Sequence, residues 1–261
     1  MQLQLVRNAT LKLGYAGRTI LVDPYLAPRH SLPSFTGKSP NPTAELPMTI
    51  EEILAGVELV IVSHLHTDHF DGVAKERVPR ELPLVCRPDD EETIRKAGFA
   101  DVRPLTGETN WRGIRIVRRE GNHGSGDVLA KMGPVMGFTL EAADEPSVYW
   151  AGDTILYPPV LETISDFGPD VVVTHSCGAL WDNTLIVMDA EQTVATCGAV
   201  KERAVVVATH MEALDHSTVD RAALRSHAHR RGISPAKLLI PADGETLTFA
   251  PAGIGARTAT Q

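Results

Sequence analysis

The stretch Glu58-Leu59-Val60-Ile61-Val62-Ser63-His64-Leu65-His66-Thr67-Asp68-His69 decides how this chain is read. The run from Glu58 to Val62, apolar from Leu59 onward, predicts a strand covered on both faces. Directly after it come four ligand-type side chains within six residues. In extended backbone, residues two apart point the same way, so His64 and His66 can serve one cation. Asp68 and His69 fall where the chain turns toward a helix beginning near Asp71, and they can address a second cation on the other side. The plain alternative is a group of surface histidines on a loop. The HxHxDH spacing at the end of a buried strand favours metal.

Upstream, three β-type runs open the chain: Gln2 to Val6, Thr10 to Leu13 and Thr19 to Val22, with turn chemistry from Gly14 to Gly17. Pro24 to Pro47 is rich in Pro, Ser, Thr and Asn. It reads as a long ordered loop, the kind that is usually functional. A helix is expected near Ile50–Ala55. Downstream the pattern predicts strands at Leu82–Cys86 and Val102–Leu105 around a helix at Asp90–Ala97. Antiparallel strands are expected next at Gly113–Arg118 and Val135–Glu141. The second half gives strands at Val148–Ala151, Val171–Thr174, Ala204–Thr209, Leu238–Ile240 and Glu245–Phe249. Its helices are expected at Pro158–Asp166, Ala190–Val200 and Thr218–His229. Short apolar strands followed by helices in both halves predict an α/β fold of four layers, αβ/βα: two mixed sheets face to face with helices outside. No linker or repeat divides the chain, so one domain is expected over residues 1–261.

Composition narrows the function. The 261 residues carry 25 Lys+Arg against 33 Asp+Glu, a formal charge of −8, which argues against nucleic acid as a partner. No apolar run approaches the roughly 18–20 residues that span a bilayer, so no membrane partner is expected. The opening Met1-Gln2-Leu3-Gln4-Leu5-Val6-Arg7 lacks the basic and apolar regions of a signal peptide. Cys86, Cys177 and Cys197 are odd in number and widely spaced, which speaks against a disulfide framework. The expectation is a cytoplasmic globular protein acting on a small molecule; homo-oligomerisation stays open.

Further ligand-type residues stand at predicted strand ends. His123 sits in Gly121-Asn122-His123-Gly124-Ser125-Gly126, Asp153 comes after Gly152 beyond the Val148–Ala151 strand, and His210 comes directly after the Ala204–Thr209 strand. Each alone reads more simply as a cap or a satisfied polar residue. Together they form a pattern, because the carboxyl edge of covered α/β sheets is where sites are built.

HxHxDH, a later His in a Gly-rich turn, a Gly-Asp after a strand and a final strand-end His together resemble the metallo-β-lactamase-fold hydrolases. The resemblance runs from Arg7 to Phe249. Arg7-Asn8-Ala9-Thr10, Leu21-Val22-Asp23-Pro24, Asp189-Ala190-Glu191 and His210-Met211-Glu212-Ala213 resemble the L-ascorbate-6-phosphate lactonase-like branch, many members of which carry a His where this chain has Asn8. The turn holding His123 departs from the Thr-Pro-Gly-His-Thr-type motif of the glyoxalase II and acyl-homoserine-lactone lactonase branches, which points away from those activities. The resemblance implies two metal sites: His64, His66 and His123 around one ion, Asp68, His69 and His210 around the other, and Asp153 bridging them. Such donors suit two divalent ions, Zn²⁺ first, with Mn²⁺ or Fe²⁺ open because no thiolate enforces softness.

The chemistry implied by such a pair of ions is hydrolysis by a metal-bridged hydroxide, acting on a lactone or other ester. A phosphodiesterase on the same scaffold and a non-catalytic metal-stabilised binding protein are the alternatives. No GxSxG nucleophile elbow is present. Asp68, His175 and His216 are the candidate catalytic side chains. Asp68 orients the nucleophile and passes its proton toward the leaving group, and His175 reaches substrate from the Val171–Thr174 strand. His216 and Glu212 support His210 or cap a helix. Asp23 supports a ligand His or forms a salt bridge elsewhere. His227 and His229 face apart on a helix and read as solvated, and His30 lies in the Pro-rich loop. Trp181, Asp182 and Met188, in the irregular stretch Ser176–Met188, are placed to wall a pocket.

Overall fold

In the computed structural model, which describes residues 1–250, the opening strands β1 (Gln2–Arg7), β2 (Thr10–Tyr15) and β3 (Arg18–Val22) form an antiparallel meander. Ala16 and Gly17, both at positive φ, make the turn between β2 and β3; Gly14, expected in that turn, lies inside β2. After the Pro-rich segment, Thr49 and Glu52 form a capping box that starts α1 (Ile50–Leu54). Then come β4 (Leu59–Val62), α2 (Gly72–Arg77), β5 (Leu84–Cys86), α3 (Glu91–Lys96) and β6 (Val102–Pro104), with β3 to β6 parallel. Asp71 caps α2 by accepting from the Ala74 amide, which ends the HxHxDH turn on a rigid element.

The second half repeats the plan. β7 (Glu108–Trp111), β8 (Ile114–Gly121), α4 (Gly126–Met132), β9 (Val135–Glu141) and β10 (Val148–Trp150) supply an antiparallel run. They are followed by α5 (Pro158–Phe167), β11 (Val171–His175), a small hairpin of β12 (Leu180–Trp181) and β13 (Thr184–Leu185), and α6 (Ala190–Ala199). β14 (Val205–Thr209), α7 (Arg221–Arg230), β15 (Leu238–Leu239) and β16 (Thr246–Thr248) close the described chain. One seven-stranded sheet runs β16-β1-β2-β3-β4-β5-β6 and the other β15-β14-β11-β10-β9-β8-β7.

Period-2 alternation sorts the side chains into layers. Leu59, Ile61, Val171, Val173, Val205 and Val207 face the apolar layer between the two sheets. Val60 and Val62 turn the other way, onto a cluster with Ile53, Ala74 and Ile94 of the helices. Val172, Val206 and Ala208 do the same against Ile164, Cys197 and Leu224. These clusters make the fold the four-layer αβ/βα sandwich.

Several boundaries differ from expectation for physical reasons. β8 runs three residues past Arg118 because Arg119, Glu120 and Gly121 pair with Gly137, Met136 and Val135. α7 begins at Arg221 rather than Thr218, since Asp220 caps it by accepting from the Ala223 amide. β7, α4 and the β12–β13 hairpin are additions to the predicted elements. The expected domain ends in residues 251–261, which lie outside the described residues. Among the described residues, no helix is long and apolar enough to cross a membrane.

Candidate metal centre

The turn after β4 folds on itself, with the amides of His69 and Phe70 both donating to the His66 carbonyl at 3.0 Å. This points His64 and His66 to one side and Asp68 and His69 to the other. His123 arrives from the loop after β8, Asp153 from the loop after β10, and His210 from the residue after β14. Gly152 makes the approach of Asp153 feasible. Its φ is +72°, and a Cβ there would stand 2.5 Å from the Trp150 ring.

Every candidate imidazole has one nitrogen engaged by the protein. His64 Nδ1 meets Ser63 Oγ at 2.9 Å, and His66 Nε2 donates to the Met132 carbonyl at 3.0 Å. His123 Nδ1 donates to the Ile186 carbonyl at 2.8 Å, His69 Nδ1 to Asp23 Oδ2 at 2.7 Å, and His210 Nδ1 lies 3.4 Å from Cys177 Sγ. The opposite nitrogens converge on Asp153. Its Oδ2 is 3.2 Å from His69 Nε2, 3.3 Å from His123 Nε2 and 3.8 Å from His64 Nε2. Asp153 Oδ1 is 3.6 Å from His210 Nε2, which itself lies 3.2 Å from Asp68 Oδ2. Outer partners of this kind fix the tautomer and aim of metal-binding histidines.

Ligand atoms of His64, His66, His123 and Asp153 lie within 4.8 Å of one another, and so do those of His69, Asp153, His175 and His210. The first group is the set expected around one ion, with Asp153 shared between the two. In the second, His175 takes the place expected for Asp68, whose Oδ2 is instead 3.6 Å from His69 Nε2 and 3.2 Å from that of His210. Geometry favours Asp68 as the fourth donor, because it lines an open cavity while His175 is fully buried behind Asp153. The His175 Nδ1–Asp153 Oδ1 distance is 2.5 Å, so His175 orients that carboxylate and does not reach substrate as expected.

The donors fit divalent cations on their own chemistry. His64 Nε2 is buried with no hydrogen-bond partner, an orphaned polar atom that costs free energy unless a cation partners it. The Nε2 atoms of His69 and His210 face each other at 3.2 Å, close for two groups that both tend to be protonated. Burial alone would lower His69, but the carboxylates of Asp153, Asp68 and Asp23 outweigh it and lift the group to about 10. Burial likewise opposes the charge on His210, yet Asp153, Cys177 and Asp68 raise it well above the usual imidazole range. Burial and the surrounding imidazoles push His64 down, and burial lowers His123. For Asp68 and Asp153, burial pushes upward and loses to the neighbouring histidines, so both are held well below the usual carboxylate range.

Backbone strain gathers at this rim. Asn8, Asp23, His210 and Glu212 are non-glycine residues at φ of 57°, 43°, 62° and 61°. Asn8, whose role the sequence leaves open, is a clamp: its Nδ2 donates to the Asp68 carbonyl at 3.0 Å, and its own carbonyl accepts from the His210 amide at 2.8 Å. Asp23 takes the supporting role, binding His69 Nδ1, the Ser63 amide at 2.7 Å and Ser63 Oγ at 2.6 Å. Glu212 accepts from the Arg221 amide at 2.8 Å, at the start of α7, which is the helix-capping alternative.

Above the metal-type groups lies a cavity of about 380 Å³ walled by Phe35, Leu65, Met132, Trp181, Ile186 and Val187. His216 lines it as well. Phe35, missed in the sequence, comes from the Pro-rich loop. Lys131 at the wall is paired with Asp182 at 2.7 Å. Met188, expected in the wall, is instead fully buried in the core beneath it. His30 is exposed on its loop, His227 pairs with Glu191 at 3.1 Å on the surface, and His229 is exposed.

This chain belongs to the beta-lactamase superfamily, whose domain profile matches residues 18–211. Within it the chain is a metal-dependent hydrolase of the metallo-β-lactamase fold, as its relatives bear out. It is 34% identical over 256 residues to UPF0173 protein YddR of Bacillus subtilis, covering 95% of this chain and all (100%) of that one. Two solved structures superpose at a TM-score of 0.91. One, of a possible metal-dependent hydrolase from Veillonella parvula, is 33% identical and covers 95% of this chain and 99% of its own. The other, an isothiocyanate hydrolase from Delia radicum gut bacteria, is 36% identical and covers 96% and 100%.

Proposed function

We propose that this chain hydrolyses a small uncharged molecule, a lactone or other ester, with two divalent cations held beneath the cavity. His64, His66 and His123 hold one ion, Asp68, His69 and His210 the other, and Asp153 stands between them, zinc being the best match to the donors. The observation that carries this reading is the convergence of five imidazole nitrogens on one buried carboxylate, each ring already held from behind by another partner. Bound cations supply Lewis acidity, lowering the pKa of water toward neutrality and polarising the substrate oxygen. Asp68, at the cavity floor with its carboxyl held ionised, orients the attacking water and accepts its proton. The apolar walls bind the substrate's hydrocarbon and exclude bulk water.

Beyond the bound cations, the wall offers a substrate's phosphate or carboxylate one lysine, and that lysine is engaged by Asp182. That favours an uncharged substrate over a phosphodiester or a phosphorylated lactone. The 36% identity to an isothiocyanate hydrolase over nearly the whole chain favours a second reading, an isothiocyanate. Its electrophilic carbon also suits an acidified water, and its uncharged body suits the same walls. The three buried free cysteines agree with a reducing compartment such as the cytoplasm.

The test is a panel of lactones, carboxylic esters, isothiocyanates, phosphodiesters and β-lactams against zinc-loaded and chelator-stripped protein. Chelator-sensitive turnover of a lactone or ester supports the main reading, and exclusive turnover of isothiocyanates the second. No turnover by fully loaded protein favours the metal-stabilised binding protein.

A further inference from the structure

Resting on the ester reading, we propose that His216 carries the proton to the leaving group. Seven titratable side chains line the cavity: His66, Asp68, His123, Lys131, Asp153, His210 and His216. Five belong to the metal-type groups at the floor, and Lys131 is tied to Asp182. His216 alone is uncommitted. It is only 7% exposed, and its Nδ1 is buried without a hydrogen-bond partner, so the ring keeps an unused polar atom in a largely apolar wall.

The ring is also held in place, which a proton carrier requires. Phe35 packs edge-on against it, with centroids 5.0 Å apart and planes at 85°. Phe35 is in turn fixed by the residue preceding His216. The Asp215 carboxylate accepts from the Phe35 and Thr36 amides at 3.0 Å, from Thr36 Oγ1 at 2.7 Å, from Ser34 Oγ at 2.5 Å and from Asn41 Nδ2 at 3.0 Å. Five donors from the Pro-rich loop thus converge on one side chain, pinning loop, phenyl ring and imidazole as a unit over the floor. The charged groups that act on His216 are Asp68, His210, Asp153 and Asp215. Burial keeps the ring neutral at rest, ready to receive a proton.

In the step itself, the water oxygen bonds to the acyl carbon and the proton it loses passes by way of Asp68 to the imidazole. The bond between acyl carbon and leaving oxygen then breaks, with its electron pair going to that oxygen. The imidazolium gives the proton to the leaving oxygen and returns to neutral. Ester and water become acid and alcohol, with no other reactant.

The experiment compares wild type with His216→Gln and His216→Ala, all zinc-loaded, on esters of one acyl group. The leaving groups range from p-nitrophenol to a simple alkanol. Metal content and melting temperature of each variant establish that fold and floor are intact. The expected result is a steep leaving-group dependence. The variants lose less than about 3-fold in kcat/KM on the p-nitrophenyl ester, whose anion leaves unaided, and about 10²-fold or more on the alkyl ester. An equal loss along the series, or none, overturns the proposal while leaving the ester reading intact. A wild type inactive on every ester overturns the ester reading and this proposal with it. A variant that loses metal or melts early shows His216 to be a structural support and also overturns it.

Discussion

Asp23 shows how much of this site depends on single side chains that touch no substrate. Its carboxylate holds His69 Nδ1 at 2.7 Å and both the amide and hydroxyl of Ser63, and Ser63 Oγ in turn meets His64 Nδ1. Both metal-type groups therefore hang on one buried acid. Asp23→Ala is expected to weaken metal binding by about 10- to 100-fold, as loss of an outer partner does elsewhere. Chelator competition on the purified variant measures this, and an unchanged affinity would contradict it.

At the same scale, metal must displace protons. His69 and His210 both titrate above the ordinary imidazole value when no cation is bound, so the pair holds protons that a cation must displace. Loading is expected to release protons, read by calorimetry in buffers of different ionisation enthalpy. A heat independent of buffer would count against the assignment. The sign for stability comes from linkage. Because His69 is raised from 6.5 to about 10, its contribution to the metal-free fold is complete below pH 6.5 and is lost as pH rises toward 10. The melting temperature of stripped protein should fall over that window, and more steeply than that of His69→Gln.

Among elements, the short connections do the positioning. The turn from β10 to Asp153 exists because Gly152 adopts φ +72° beside the Trp150 ring. Gly152→Ala combines backbone strain with overpacking and is expected to cost about 2–4 kcal/mol. Urea unfolding would show it, and a variant as stable as wild type would mean the turn relaxes freely. The apolar strands and the ligand-type residues at their ends were legible in the sequence, since a run such as Leu59–Val62 followed by HxHxDH needs no tertiary information. β7 was not, because three of its four residues are exposed or half-buried and carry no apolar pattern. The glycines around Gly126 obscure α4, and two-residue strands such as β12 and β13 lie below any periodicity. The carbonyls of Met132 and Ile186 that aim His66 and His123 are equally silent, since every residue has a carbonyl. His175 was legible as a strand-end histidine on the right edge, but not as a side chain hidden behind Asp153.

For the whole molecule, the two sheets share one plan, an antiparallel run continuing into parallel strands. They contribute to one site: His64, His66, Asp68 and His69 come from one sheet, and His123, Asp153 and His210 from the other. Cations bound there cross-link the halves of the sandwich. At 100 times the dissociation constant, metal is therefore expected to add about 2.7 kcal/mol per site to stability. Thermal melts with and without chelator would report it, and identical curves would contradict it.

The claim on which the rest depends is that seven side chains gather two divalent cations, and the most direct measurement is elemental analysis of zinc-loaded protein after gel filtration. Two zinc ions retained per chain is the predicted result; protein that emerges with none would contradict it.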